Sequence, residues 1–179
     1  MHHIIYQSLA NGYCIGPVVP DDKSAFVEHL NDKRIYENTL RIPYPYTEGD
    51  ADWWIQRRVL QPVSAKQTLF AIRNKEGYLI GIVDADSNTA GVERRISEIG
   101  YWLASPYWGK GIMTEAIAWL CGYAFSELGL LRLTAHVFIF NRRSARVLEK
   151  NGFQMERVLP NHYLKDGVPI DACRYALVR

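Results

Sequence analysis

Strand-length apolar runs alternate with amphipathic helical stretches along this chain, a pattern that predicts an α/β domain with a mixed sheet flanked by helices. Three observations carry the prediction. Residues 96–103 and 131–138 are apolar runs of the kind interior strands show. Between them, a stretch opening at Gly111 sets Ile112, Ala116, Trp119, Leu120, Tyr123 and Ala124 along one helical face. Strand pairs with glycine-bearing turns stand on either side, residues 68–73 with 78–85 and 153–159 with 170–178. At 179 residues and 48% hydrophobic composition, the chain has the size and apolar content of one compact domain.

The elements follow in order. Residues 13–18 read as a strand, and Pro20-Asp21-Asp22 opens a helix in which Phe26, Val27 and Leu30 share a face. Arg41-Ile42-Pro43-Tyr44-Pro45-Tyr46 is irregular, because each proline drives its predecessor toward extended geometry. Thr47, with Asp50 three residues on, caps a helix carrying Trp53, Trp54, Ile55 and Val59. Those tryptophans either pack the helix on the sheet or wall an acceptor pocket. Asn74-Lys75-Glu76-Gly77 is a hairpin loop, with Gly77 suited to positive φ. The last helix, from about residue 143 to 151, ends at Gly152 in the left-handed position helix ends favour.

Charge and cysteine content narrow the function. Twenty-one Lys plus Arg against 19 Asp plus Glu leave a net charge of +2, too small to argue for a nucleic-acid or membrane partner. Cys14, Cys121 and Cys173 are an odd, scattered set without a Cys-x-x-Cys pair, so reduced thiols in a cytoplasm are expected. Met1-His2-His3-Ile4 lacks the basic-then-apolar signature of a leader, and no run is long enough to span a bilayer, so a soluble, unprocessed chain is expected. His2 and His3 lack a third ligand. Asp50, Asp84 and Asp86 form no compact acidic loop and read as solvated strand ends; no metal is expected.

The chemistry concentrates in Ser105-Pro106-Tyr107-Trp108-Gly109-Lys110-Gly111-Ile112-Met113-Thr114-Glu115-Ala116, where a glycine turn runs into the central helix. The first amides of a helix lack intrahelical acceptors and, with the dipole, attract anions. Gly109 and Gly111 remove β-carbons that would keep a diphosphate away from those amides. An ordinary tight turn is the other reading. The dinucleotide fingerprint fails because Thr114 stands where its third glycine belongs, and the P-loop fails because Gly111 follows Lys110. Downstream, Asn141-Arg142-Arg143-Ser144-Ala145-Arg146-Val147-Leu148-Glu149-Lys150-Asn151-Gly152-Phe153 follows the second apolar strand. Arg142, Arg143 and Arg146 are either a solvated helix face or phosphate contacts.

At these stretches the chain resembles the GNAT superfamily of acyl-coenzyme A-dependent N-acyltransferases, in particular its ribosomal-protein alanine N-acetyltransferases of the RimJ/RimL type. The matching residues are Glu98-Ile99-Gly100-Tyr101-Trp102-Leu103, then Gly109-Lys110-Gly111 with Thr114-Glu115-Ala116, then Asn141, Ser144, Val147-Leu148-Glu149-Lys150 and Gly152-Phe153. The similarity runs over residues 18–178. It implies one GNAT-like domain over residues 1–179, with a mixed, largely antiparallel sheet splayed between two parallel strands to admit a pantetheine arm. It implies acetyl-coenzyme A as co-substrate and an amine acceptor, a protein N-terminus or a small amine, and it allows a homodimer through the terminal strands. Pro106 departs from the family's usual Gln or Arg and removes an amide. The diphosphate is then left to Trp108, Gly109, Lys110, Gly111, Ile112 and Met113, with Thr114 closing the turn.

Acyl transfer to an amine requires a proton acceptor, donors for a developing oxyanion and a proton for the departing thiolate. Strand alternation sets Glu98 on one face with Ile96 and Trp102, and Ile99, Tyr101 and Leu103 on the other. Glu98 is the candidate base; a structural salt bridge is its alternative. Backbone amides around Trp102 and Leu103 are candidate oxyanion donors if the strand splays. The resemblance makes Ser144 the candidate acid, with Tyr101 as an alternative donor, Asn141 as a pantetheine contact and Arg146 as a phosphate contact. Read locally, Asn141 is a helix cap and Ser144 a first-turn residue. The acceptor pocket is expected from residues 34–54 and the loop 161–169. Glu48, Asp50 and Asp52 there either attract a cationic amine or complement a helix dipole.

Overall fold

A computed structural model describes residues 6–60, 67–86 and 95–179; the His2–His3 pair lies outside them. Eight strands form one sheet in the order β1-β2-β3-β4-β5-β6-β8-β7. They are β1 (Gln7–Ser8), β2 (Cys14–Pro17), β3 (Leu69–Arg73), β4 (Leu79–Asp86), β5 (Ile96–Leu103), β6 (Arg132–Phe138), β7 (Gln154–Lys165) and β8 (Val168–Val178). Every neighbouring pair is antiparallel except β5 with β6. Five α-helices accompany the strands among the described residues: α1 (Lys23–Leu30), α2 (Lys33–Glu37), α3 (Glu48–Ile55), α4 (Ile112–Ser126) and α5 (Arg142–Lys150). No helix among the described residues is long and apolar enough to cross a membrane.

The sheet separates two cores. On one face α4 buries Ile112, Met113, Ala116, Ile117, Leu120, Cys121 and Ala124, a helical stripe set against Phe70, Ile72, Ile99, Leu103 and Leu133. Its burial is a main source of stability, each large side chain contributing roughly 1.5–3 kcal/mol. On the other face Phe26 and Leu30 of α1 and Ala51 and Ile55 of α3 pack on Leu69, Ala71, Ile82 and Trp102. A buried ion pair anchors that second layer. Arg73 donates from Nη1 to Asp22 Oδ1 at 2.7 Å and from Nη2 to Asp22 Oδ2 at 2.8 Å, and also to the carbonyls of Pro17 and Gly77. The guanidinium's charge and all but one of its donors are thereby answered.

The parallel pair is short, and its shortness makes the opening. β5 and β6 pair only where Ile96, Ser97 and Glu98 face Arg132, Leu133 and Thr134. Beyond that point residues 99–103 stay with β4 while residues 135–138 stay with β8, so the two strands diverge. Two local expectations change. Residues 161–165 belong to β7 rather than to a loop, and the hairpin turn is confined to Asp166 and Gly167, both at positive φ. Asp84 is buried rather than solvated, and its carboxylate pairs with Arg58, which explains how a strand interior tolerates it.

Candidate active site

The gap between β5 and β6 opens into a cavity of ≈ 1900 Å³ lined from both faces of the sheet. Gly109, Gly111, Ile112, Met113, Thr114, Asn141, Ser144 and Arg146 line one half; Glu98, Trp102, Trp54 and Tyr163 line the other. One passage therefore joins the glycine turn to the carboxylate across the sheet.

The turn is built for exposed amides. Gly109 and Gly111 have φ of 77° and 79°, a region that L side chains rarely enter, and a Cβ on either would meet no atom within 4 Å. Gly111 is the N-cap of α4, and the helical ladder begins with Glu115 N donating to Gly111 O at 3.1 Å, leaving the amides of Ile112, Met113 and Thr114 ahead of it. The Trp108 amide is different from the expectation: it donates to Ser105 O at 3.2 Å, so the free amides begin at Gly109. Trp108 instead braces the turn, its indole donating to Leu103 O at 2.6 Å. Its ring lies 4.9 Å from the Arg143 guanidinium and 5.8 Å from that of Arg34. The Lys110 side chain turns away over the Tyr107 ring, 5.2 Å from its centre, leaving its backbone as its contribution.

Across the turn, α5 presents Arg143, Arg146 and Lys150 to the cavity. Arg142 is not among the residues that line it. Lys150 was not singled out from the sequence, although its spacing of four residues from Arg146 on the same helix would have found it. The Asn141 side chain caps α5, accepting from Ser144 N at 3.1 Å. Ser144 Oγ lies 2.8 Å from Tyr101 Oη, so the two alternative proton donors form one hydrogen-bonded pair. Burial pushes the Tyr101 phenol well above its ordinary value, and the Ser144 hydrogen bond offsets part of that.

On the opposite face, Glu98 is part-exposed, and its Oε1 lies 3.0 Å from His136 Nδ1. His136 in turn stacks on His162, ring centres 5.4 Å apart, with the Tyr163 edge against both. His136 had no local signal, since its partner sits on another strand 38 residues away.

Backbone geometry sorts the proposed oxyanion donors. Ala85 turns its amide to β3, donating to Thr68 O at 2.9 Å, so by alternation Asp84 and Ile82 turn theirs to β5. Trp102 stands opposite Ile82 and is spent on that ladder, whereas Tyr101 and Leu103 direct their amides into the gap. Trp102 contributes its side chain, packed near Phe26 at 5.8 Å between ring centres.

The acceptor half draws on Arg34, Ile35, Asn38, Thr39, Arg41 and Tyr46 as expected, but the 161–169 segment supplies Tyr163 alone. Trp54 both packs on Phe26, at 4.7 Å, and faces the cavity. Glu48 and Asp52 are engaged by Lys23, and Asp50 closes the α3 capping box with Thr47. Those acids are therefore structural pairs and caps rather than free attractors.

A splayed mixed sheet that joins a helix-start anion cradle to a carboxylate on its far face has the layout of an acyltransferase. Residues 14–154 match the family described as acetyltransferase (GNAT) domain, and the chain belongs to that family. It is 36% identical over 129 residues to the N-acetyltransferase YoaA of Bacillus subtilis, itself uncharacterized, across 66% of this chain and 73% of that one. Among solved structures, the ribosomal-protein-S5-alanine acetyltransferase of Vibrio fischeri shares the fold with a TM-score of 0.84 at 21% identity, covering 98% of this chain and 96% of that one. The microcin C7 self-immunity acetyltransferase MccE, solved with acetyl-CoA and AMP, has a TM-score of 0.81 at 20% identity over 94% and 93% of the chains. This chain is thus an N-acetyltransferase of the GNAT family, acting on an amine.

Proposed function

We propose that the chain transfers acetyl from acetyl-coenzyme A to a primary amine by direct attack in a ternary complex, with a protein N-terminal α-amine as the acceptor. The observation that carries this is the single passage through the sheet, with Glu98 on one face and the Tyr101–Ser144 pair on the other. Bound acetyl-coenzyme A supplies the thioester carbonyl. The residues present fit it: open space at Gly109 and Gly111, amides through Thr114, and Arg143, Arg146 and Lys150 suit a diphosphate. Asn141, already capping α5 at the cavity wall, is placed for the amides of the pantetheine arm.

Each chemical demand then has a group. Glu98 accepts the amine proton, directly or through water, and its bond to His136 holds the carboxylate in place. The Leu103 and Tyr101 amides, facing the gap, stabilise charge developing on the acyl oxygen. Tyr101 delivers a proton to the departing sulfur, and its raised pKa keeps the phenol protonated throughout the working range. Ser144 supports that phenol from 2.8 Å. The acid and the base stand on opposite faces of β5, as a transfer that passes through the sheet requires.

The N-terminal acceptor rests on the resemblance to ribosomal-protein acetyltransferases, one of which shares the fold. A small-amine acceptor is the second reading, supported by 24% identity over 145 residues to the L-amino acid N-acetyltransferase AaaT of Escherichia coli. Thiol release from acetyl-coenzyme A, followed with peptides, amino acids, polyamines and aminoglycosides, separates the two. A chain that binds the coenzyme yet releases no thiol with any of these amines would be a binding module instead.

A further inference from the structure

The charged side chains of the acceptor half divide into those answered within the protein and those left for a ligand. Arg58 pairs with Asp84, Arg34 with Asp32, and Glu98 with His136, while the Arg57 guanidinium rests 5.0 Å from the centre of the Trp53 ring. Asp50 accepts from the Thr47 amide and hydroxyl at 2.8 and 2.5 Å. Arg41 lines the same cavity as Glu98 and Tyr163 and has no acidic partner among the described residues. Its place is set on both sides. Thr39 O accepts from Lys165 Nζ at 2.9 Å, Lys165 also sits 3.6 Å from the Tyr36 ring centre, and Ile42 packs into the acceptor-side core. Its neighbours on either side are thus held, and Arg41, itself exposed, lies between them at the cavity wall.

We propose that Arg41 reads an anionic group on the acceptor, so that the preferred substrates are primary amines that also bear a carboxylate or phosphate. The inference rests on the transfer reading above and names its substrate class. The ammonium end lies toward Glu98 and the anionic end at Arg41, in the cavity that Tyr163 lines with them. Tyr163 feels both charges: burial and then the Glu98 carboxylate raise its phenol, while the Arg41 guanidinium pulls the other way. A planar guanidinium grips a carboxylate or phosphate through two parallel hydrogen bonds, which an ammonium ion cannot match. The same charge repels a second cationic centre, so polyamines are poor acceptors. The carboxylate of a free amino acid and an acidic side chain beside a polypeptide's N-terminus both satisfy this chemistry.

Acceptors paired to differ only in the anion test it. Glycine against glycinamide probes the amino-acid source; an Asp-led against an Asn-led peptide amide probes the polypeptide source; spermidine is the cationic arm. In at least one pair the anionic member should be favoured about 10-fold or more in kcat/KM, mostly through KM. That ratio should collapse in Arg41→Gln, recover partly in Arg41→Lys, and shrink with added salt. Thermal melting confirms that both variants are folded. Equal kcat/KM within both pairs, a preference that survives Arg41→Gln, or spermidine as the best acceptor overturns the inference while leaving acetyl transfer intact. Absence of thiol release with every amine defeats the transfer reading instead. In that case equal calorimetric affinities of the wild type and Arg41→Gln for glycine and for the Asp-led peptide overturn the Arg41 inference as well.

Discussion

The two halves of the cavity, proposed above for coenzyme and acceptor, are built by different means. The coenzyme half is one unbroken stretch, Gly109 to Thr114, offering backbone amides, with one face of a single helix opposite. The acceptor half is assembled from side chains on α1, α3, β5, β6 and β7 and on the segment around α2, some of them more than a hundred positions apart. A diphosphate is the same in every reaction, so a fixed backbone cradle suits it and writes itself into a short motif. An acceptor varies with the enzyme, and side chains on separate elements can change one at a time without disturbing the cradle.

Four substitutions put this contrast to the test, in decreasing order of effect. Arg73→Ala strips the partner from buried Asp22 beneath the acceptor layer and should cost about 3–5 kcal/mol in urea unfolding. A loss near zero would mean that this layer is held by apolar packing alone. Glu98→Gln should lower kcat by about 100-fold, most severely at low pH, with coenzyme affinity by calorimetry retained. An unchanged pH profile would remove Glu98 from the base role. Gly111→Val places a β-branched residue at φ 79°, a strain of roughly 1–2 kcal/mol, and crowds the cradle. The coenzyme Kd should rise about 10-fold or more, and wild-type affinity would refute the backbone cradle. The smallest effect concerns Asp32, whose carboxyl the Arg34 guanidinium, with Ser105 Oγ behind it, holds at about 2 against burial. Its folded pKa lies below its ordinary unfolded value, so its contribution to stability is present above roughly pH 4 and is lost as pH falls toward 2. The Tm difference between wild type and Asp32→Asn should therefore narrow across that window; a gap independent of pH would show that the ionised carboxylate is not what matters.

Legibility followed the same division. Strand β5, the glycine turn, α4 and the Asn141 cap were readable because each depends on neighbours within a turn or two. Alternation along β5 correctly set Glu98 and Tyr101 on opposite faces. Long-range pairing hid the rest. His136 meets Glu98 because β5 and β6 run side by side, and Glu48 and Asp52 lose their freedom to Lys23, which belongs to α1. The Trp102 amide was misread because which amides face the gap depends on the register with β4. Trp108 was misread because a short helical turn at residues 105–107 had already claimed its amide.

The order of elements, the glycine turn before α4 and the candidate chemistry were legible in the residues alone, since periodicity, glycine conformation and helix capping act over a few residues. Only the folded sheet fixes where β5 and β6 part and which charges are answered inside the protein. Those outcomes depend on residues far apart in the chain meeting across a sheet, and the interaction energies that decide them do not exist until the sheet has formed.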